Sequence, residues 1–187
     1  RENPRMNIPN LLTLLRILLV PLIVIFLMDG EYLKALITFF ISGITDALDG
    51  FLARLLHQKT TLGEYLDPIA DKALLITCFL TLSIAEVIPG WLTVIVISRD
   101  VIILAGTFVL FMMSISFEIK PILISKVTTA LQILTILLVL GLKSLPGAID
   151  YTWILFLYWM TALFTIMSGL KYISVGLSHY AQAPPRE

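Results

Sequence analysis

Six long, predominantly apolar runs constrain what this chain can fold into more than any other feature of its sequence. The runs cover residues 10–28, 33–55, 68–86, 91–113, 121–142 and 151–176. Each is close to the roughly 20 residues that a helix needs to cross the hydrocarbon core of a bilayer. Because lipid offers the backbone no hydrogen-bond partners, spanning segments of this length are expected to be α-helices. The sequence therefore predicts an all-α integral membrane protein with six transmembrane helices in one domain, residues 1–187.

The composition agrees with a membrane protein and argues against a protein that binds nucleic acid. Hydrophobic residues make up 58% of the chain and charged residues 14%, whereas soluble domains have about 45–50% and about 25%. The formal net charge is zero, which gives no electrostatic basis for binding nucleic acid. We therefore expect the lipid bilayer as a partner and no nucleic acid.

The distribution of lysine and arginine predicts the orientation, because these residues are enriched in cytoplasmic connections. One side of the predicted bundle has Lys34 and Lys143, and Arg99 lies within a span. The opposite side has both termini, the 2–3 and 4–5 connections and ten basic residues: Arg1, Arg5, Arg16, Arg54, Lys59, Lys72, Lys120, Lys126, Lys171 and Arg186. Both termini are therefore predicted to be cytoplasmic, or on the matrix side of a mitochondrial membrane.

Four aspartates interrupt the second and third apolar runs. Asp46 and Asp49 are three residues apart in one predicted helix, and Asp67 and Asp71 are four apart in the next. Residues at these spacings share a helix face, so each helix offers a pair of carboxylates at its cytoplasmic end. A charge at the centre of a bilayer costs at least about 2.5–3.5 kcal/mol. Four neighbouring carboxylates therefore need cations, and oxygen ligands near phosphate favour Mg²⁺.

The residues between the two pairs suit a phosphate ligand. Gly50 and Ala53 are small and allow close approach to the helix, and Arg54 offers a guanidinium fork. Thr60 and its neighbour can supply hydroxyls, and Gly63 is expected to let the connection turn. Two metal ions beside an arginine are typical of phosphoryl-group transfer. The predicted active site is therefore at the cytoplasmic ends of helices 2 and 3.

Other interpretations of the aspartates remain open at this point. Individual aspartates at helix ends can mark the interface or cap a helix, and intramembrane carboxylates also mark ion or proton pathways. An ion transporter would leave the small residues and Arg54 without a role. Intramembrane prenyltransferases also use paired aspartates with Mg²⁺, but those proteins are longer than this chain and have more spans.

The complete pattern is Asp46-x2-Asp49-Gly50-x2-Ala53-Arg54-x8-Gly63-x3-Asp67-x3-Asp71. It resembles the signature of the CDP-alcohol phosphatidyltransferases at every position, and the stretch Asn7–Thr13 also resembles the start of these proteins. The resemblance implies a homodimeric membrane enzyme with two Mg²⁺ or Mn²⁺ ions per active site. It also implies transfer of a phosphatidyl group from CDP-diacylglycerol to an alcohol, with release of CMP.

The same resemblance implies roles for individual residues. Asp46, Asp49, Asp67 and Asp71 would hold the metal ions, and Asp71 would accept the proton of the attacking hydroxyl. The nucleotide would lie against six residues: Asp46, Gly50, Ala53, Arg54, Thr60 and Gly63.

Three basic residues suggest a second subsite, for the acceptor. Arg99 lies in the fourth span, Lys126 begins the fifth, and Arg16 lies in the first. Cations that face inward from three helices would form a pocket for the phosphate of the acceptor. A structural ion pair between Arg99 and Asp100 and ordinary snorkelling of Lys126 at a helix end remain alternatives.

Two subfamilies fit the second half of the chain. Lys126, Thr129 and Gln132 resemble a stretch of bacterial phosphatidylglycerophosphate synthases, which use glycerol 3-phosphate, but the arginine that those enzymes carry after the fourth-span pair is missing here. The stretches 88–106 and 124–132 resemble cardiolipin synthases of mitochondrial type, whose acceptor is phosphatidylglycerol. An acceptor with less charge needs fewer cations, so phosphatidylglycerol is favoured. Since no presequence is recognisable, we expect the bacterial inner membrane, with the mitochondrial inner membrane as the alternative.

Overall fold

A computed structural model describes residues 8–55, 61–112, 123–145 and 151–182, and their regular secondary structure is entirely α-helical. Six helices follow in order: α1 (Ile8–Met28), α2 (Tyr32–Leu55), α3 (Thr61–Ile84), α4 (Gly90–Met112), α5 (Leu123–Ser144) and α6 (Tyr151–Gln182). Within these ranges the all-α prediction and the number of helices are confirmed.

Two helices extend well beyond the apolar runs that predicted them, whereas the others differ from their runs by one or two residues. Helix α3 begins at Thr61 and includes Gly63, so the prediction that this glycine belongs to the connection was wrong. The sequence has acidic residues at positions 64 and 67, in the first two turns of α3, a part of a helix where acidic residues are favoured. Helix α6 continues to Gln182 through a polar last turn. Hydrophobicity therefore located the membrane-length core of each helix and not its polar ends.

Hydroxyl groups within the apolar helices are largely satisfied by the helices themselves. Nine of them donate to the carbonyl of the residue four positions earlier, which is the usual solution for serine and threonine in an apolar helix. The donors are Thr38, Thr77, Thr81, Thr107, Thr128, Thr129, Thr135, Ser144 and Thr165. These bonds let polar residues occupy membrane-length helices at little cost.

The ends of α1 and α3 have the same cap. After α1, Gly30 has φ +72°, its N–H donates to Leu27 O, and the N–H of Glu31 donates to Phe26 O. After α3, Glu86 takes the equivalent position with φ 56°. The paired hydrogen bonds and the left-handed residue define a Schellman motif. The glycine is suited to this backbone, and the glutamate is strained by it.

The helices belong to two compact units. The first contains α1, α2, α3 and the part of α5 from Ile136, and the second contains α4, the part of α5 up to Thr135, and α6. In the first unit, α1 packs against both α2 and α3, and in the second, α4 packs against α6. The core of the first unit includes Ile23, Leu27, Phe39, Phe79 and Leu82, and that of the second includes Leu92, Val96, Ile154 and Tyr158.

Three helices in the described part of the chain are long and apolar enough to cross a membrane: Gly90–Val109, Leu123–Ser144 and Thr152–Gly176. A shorter apolar helix covers Leu14–Met28. Large apolar side chains are exposed along these segments, among them Leu18, Leu104, Phe108 and Leu170. A surface of this kind is unfavourable in water and favourable in lipid.

Candidate active site

One arginine joins the two helices that carry the aspartate motif. Arg16 of α1 places Nη1 2.6 Å from Oδ1 of Asp71 in α3 and Nη2 2.7 Å from Oδ1 of Asp46 in α2. The arginine side chain is 1% exposed, whereas the side chains of Asp46 and Asp71 are 48% and 46% exposed. The cation therefore lies on the buried side of the cluster, and each carboxylate keeps about half of its surface accessible.

Helix packing explains why this contact forms. Arg16 is the one charged residue in the α1 sequence, and an unpaired cation among apolar side chains is costly. Because α1 packs on both α2 and α3, a single position on α1 is within reach of both carboxylate helices. The planar guanidinium offers two separate terminal nitrogens, so it can contact two carboxylates together.

The structure brings two of the four predicted metal ligands together at Arg16, namely Asp46 and Asp71. Asp49 lies three residues after Asp46 within α2, and Asp67 lies four residues before Asp71 within α3. Their side chains lie outside the described part of the chain. The side chains of two predicted nucleotide-binding residues, Ala53 and Arg54, also lie outside it. Gly50 belongs to α2 and Gly63 to α3, and Thr60 falls between the described ranges. Their predicted roles remain predictions.

The described carboxylates have the properties of a site for a hard divalent cation. Asp46 and Asp71 come from different helices, supply only oxygen donors, and already converge on one cationic group. Oxygen donors of this kind are the preferred ligands of Mg²⁺ and Mn²⁺. No group of three or more metal-binding side chains occurs among the described residues. A complete shell therefore needs ligands beyond these two, as the motif predicts.

A second buried arginine organises the other unit. Arg99 of α4 donates from Nη1 to Oδ1 of Asp100 at 2.6 Å, and from Nη2 to Ser168 Oγ of α6 at 3.0 Å. It also donates to the hydroxyl of Ser125 on α5, and its guanidinium carbon lies 5.7 Å from the ring centroid of Tyr172. Arg99 and Asp100 are both buried. This arginine therefore connects all three helices of its unit.

The three predicted acceptor cations have different surroundings. Arg99 forms the ion pair with Asp100 that was the structural alternative, and it adds contacts to two serines that sequence reasoning did not assign to it. Lys126 is exposed and follows Ser125 directly on α5. Arg16 contacts the carboxylates of the aspartate motif. The structure therefore associates Arg16 with the predicted metal ligands, and the acceptor role of all three residues stays a prediction.

Buried polar side chains form an interface that the sequence interpretation missed. We call it the α5–α6 polar seam: Thr128, Gln132 and Thr135 on α5, with Thr161, Thr165 and Ser168 on α6, all fully buried. Thr128 donates to Phe164 O at 3.0 Å, and the hydroxyls of Thr135 and Thr161 are 2.8 Å apart. Spacings of three and four residues on both helices were the available signal.

Residues 6–167 match the family model of the CDP-alcohol phosphatidyltransferases. The chain is 35% identical to a protein of Rattus norvegicus named cardiolipin synthase (CMP-forming), over 94% of this chain and 63% of that protein. It is 34% identical to the human protein of the same name, with the same coverage.

A bacterial relative matches over nearly its whole length. The CDP-diacylglycerol–glycerol-3-phosphate 3-phosphatidyltransferase of Bacillus subtilis is 30% identical, over 90% of this chain and 94% of that enzyme. The chain thus spans slightly under two thirds of the two mammalian relatives and almost all of the bacterial one. The family match covers α1, the carboxylate helices α2 and α3, and most of the second unit, so the chain belongs to the CDP-alcohol phosphatidyltransferase family.

Proposed function

We propose that this protein is a membrane enzyme of phospholipid synthesis that transfers the phosphatidyl group of CDP-diacylglycerol to a glycerol-based acceptor and releases CMP. The observation that carries the proposal is the convergence of Asp46 and Asp71 from two helices on one cationic group. Both carboxylates remain half exposed, as ligands of a diphosphate-bound metal need to be.

The chain's own residues have defined tasks in this reaction. Asp71 accepts the proton of the acceptor hydroxyl as its oxygen attacks the lipid-side phosphorus of the donor. The bond between that phosphorus and the CMP oxygen breaks, and the electron pair leaves with CMP. Asp46, Asp49, Asp67 and Asp71 would hold two Mg²⁺ or Mn²⁺ ions, while the Gly50–Arg54 and Thr60–Gly63 stretches would hold the nucleotide. When bound, such ions neutralise the diphosphate and stabilise the negative charge on the leaving CMP.

Phosphatidylglycerol is the proposed acceptor, which would make the product cardiolipin. Its headgroup ends in an uncharged glycerol, so it needs few cations, and the described part of α4 after Arg99 and Asp100 has no further basic residue. Within its own unit the Arg99 guanidinium already donates to Asp100, Ser125 and Ser168, which suits an acceptor with an uncharged reacting end better than a phosphomonoester dianion. Mammalian relatives named cardiolipin synthase support this choice.

Glycerol 3-phosphate is the second candidate acceptor. The Bacillus subtilis relative whose name states this acceptor matches the chain over nearly the full length of both proteins. In this case Arg99 and Lys126 are the leading candidates to bind the acceptor phosphate, and Arg99 would exchange part of its present contacts for phosphate oxygens.

We further propose that all six helices span the bilayer, with both termini cytoplasmic, in a homodimer. Three of the described helices have the length and composition of a membrane span. Helices α2 and α3 carry the charged motif, which lowers their mean hydropathy. The bacterial inner membrane is the proposed location, and the mitochondrial inner membrane is the alternative.

The test is CMP release by purified protein in mixed micelles with CDP-diacylglycerol, Mg²⁺ and one acceptor at a time. Cardiolipin formation with phosphatidylglycerol, and no product with glycerol 3-phosphate, is the expected result. Product with glycerol 3-phosphate alone would replace the first acceptor by the second. A carboxylate-based ion transporter, the alternative from another class, would release no CMP with either acceptor and would move ions across liposomes.

A further inference from the structure

Arg16 is buried, whereas the two aspartates of the motif that it contacts are partly exposed. Arg16 is 1% exposed, and the two carboxylates that it contacts are 48% and 46% exposed. The guanidinium therefore contacts Asp46 and Asp71 from the buried side of the cluster, and a ligand has access to them from the other side.

Contact with Arg16 through one oxygen does not exclude metal binding by a carboxylate. The two short contacts use Oδ1 of Asp46 and Oδ1 of Asp71. An ionised carboxylate has two oxygens and about four lone-pair sites. Each aspartate can therefore bind Arg16 and still ligate a cation. The partners that orient metal ligands in this way typically change metal affinity by 10–100-fold when they are removed.

We propose that Arg16 is a positioning residue of the metal site, which fixes the carboxylates of Asp46 and Asp71 relative to each other from their buried side so that both can ligate one divalent cation. The inference rests on the proposed function, because that function supplies the cation. It replaces the acceptor-binding role that the sequence suggested for Arg16.

The geometry explains why arginine is needed at this position. Two different nitrogens, Nη1 and Nη2, contact carboxylates on two different helices at 2.6 and 2.7 Å. The rigid, planar group thereby sets the separation of the two carboxylates, whereas a lysine is a single point charge on a flexible stem. Lysine at residue 16 would keep the positive charge and lose the fixed separation.

The test measures Mn²⁺ binding to the purified full chain in detergent, without nucleotide or acceptor, by electron paramagnetic resonance of free Mn²⁺. Arg16→Lys and Arg16→Met are compared with the native protein, and Arg99→Lys is the matched control. Arg99 is also a buried arginine that contacts an aspartate, but that aspartate is outside the motif. We expect at least a tenfold weaker Mn²⁺ affinity for both Arg16 variants and native affinity for Arg99→Lys.

Other outcomes overturn the inference in distinguishable ways. Native affinity in Arg16→Lys, at a normal melting temperature, would make Arg16 a purely structural cation. Tighter binding in either variant would make Arg16 a competitor of the metal for the carboxylates. Absence of Mn²⁺ binding by the native protein would overturn the inference together with the proposed two-metal chemistry. If Arg16→Met fails to fold, Arg16→Lys alone decides, because it retains the charge that the buried position requires.

Discussion

The guanidinium of Arg99 donates a 2.6 Å hydrogen bond to the carboxylate of Asp100, its direct neighbour in α4, and both side chains are buried. Adjacent residues on a helix point about 100° apart, so the pair closes only because the long arginine side chain reaches round the helix. The remaining nitrogens contact Ser125 and Ser168. The pair is thus both an internal ion pair of α4 and the attachment of α4 to α5 and α6.

Asp100→Asn is expected to destabilise the protein by about 3 kcal/mol, because it leaves a buried arginine without its charge partner. The measurement is the unfolding midpoint in a denaturant titration of the detergent-solubilised protein. The double variant Arg99→Met/Asp100→Asn is expected to lose clearly less than the sum of the two single losses, since no uncompensated charge remains. Additive losses would show that the two side chains act independently.

Asp71→Asn is expected to lower kcat by about 10²–10⁴-fold, the usual contribution of a general base. Asparagine has the same shape and keeps an oxygen that can accept from Arg16 Nη1, so the positions of the helices should change little. CMP release under saturating donor and acceptor is the measurement, with donor binding followed by a thermal shift. Asp29→Asn, on the exposed turn after α1, is the matched control and should retain native kcat. Normal turnover by Asp71→Asn would remove Asp71 from the mechanism.

The sequence was sufficient for features that are local in the chain. Apolar runs of membrane length predicted each helix that the structure describes, and the i, i+3 and i, i+4 spacing of Asp46–Asp49 and Asp67–Asp71 predicted carboxylates on neighbouring helices. The structure agrees where it describes them, at Asp46 and Asp71. These predictions succeed because helix periodicity and hydrophobicity act over a few residues.

The sequence was insufficient where the packing of helices decides the contact. Apart from Asn10, Thr13 and Arg16, helix α1 has apolar residues on every side, so its sequence pattern did not indicate which of its faces meets α2 and α3. Arg16 was therefore assigned by its charge to an acceptor phosphate, a role that stays a prediction, and its contacts with carboxylates 30 and 55 positions away in the chain were not foreseen. Ser168 and Tyr172 near Arg99 were missed for the same reason, because a lone hydroxyl in an apolar helix usually bonds to its own backbone.

The buried amide of Gln132 gives a prediction about stability. Among the residues that the structure describes, neither its nitrogen nor its oxygen has a hydrogen-bond partner, and the side chain is fully buried in the α5–α6 polar seam. A buried polar group without a partner costs about 1–3 kcal/mol. Gln132→Leu should therefore leave the unfolding midpoint unchanged or raise it.

The paired hydroxyls of the same seam provide the control. Thr135→Val breaks the 2.8 Å contact with Thr161 and should cost about 0.6–1.7 kcal/mol, the range for hydrogen bonds between membrane helices. A loss of similar size in Gln132→Leu would mean that the amide makes a stabilising contact after all. Equal behaviour of the two variants would thus contradict the distinction between a paired and an unpaired polar group.

Glu86 ends α3 in a left-handed conformation that suits glycine better. Its φ is 56°, its N–H donates to Ser83 O at 3.0 Å, and the N–H of Val87 donates to Leu82 O at 2.9 Å. A residue with a Cβ pays about 1–2 kcal/mol to adopt this backbone, whereas glycine adopts it freely. Glu86→Gly should therefore raise the free energy of unfolding by about 0.5–1 kcal/mol, after the greater entropy of glycine in the unfolded chain is counted.

Glu86→Ala removes the same carboxylate but keeps the strain, so it should show no gain. A gain in both variants would assign the effect to loss of the charge, because only Glu86→Gly relieves the strain of the left-handed backbone.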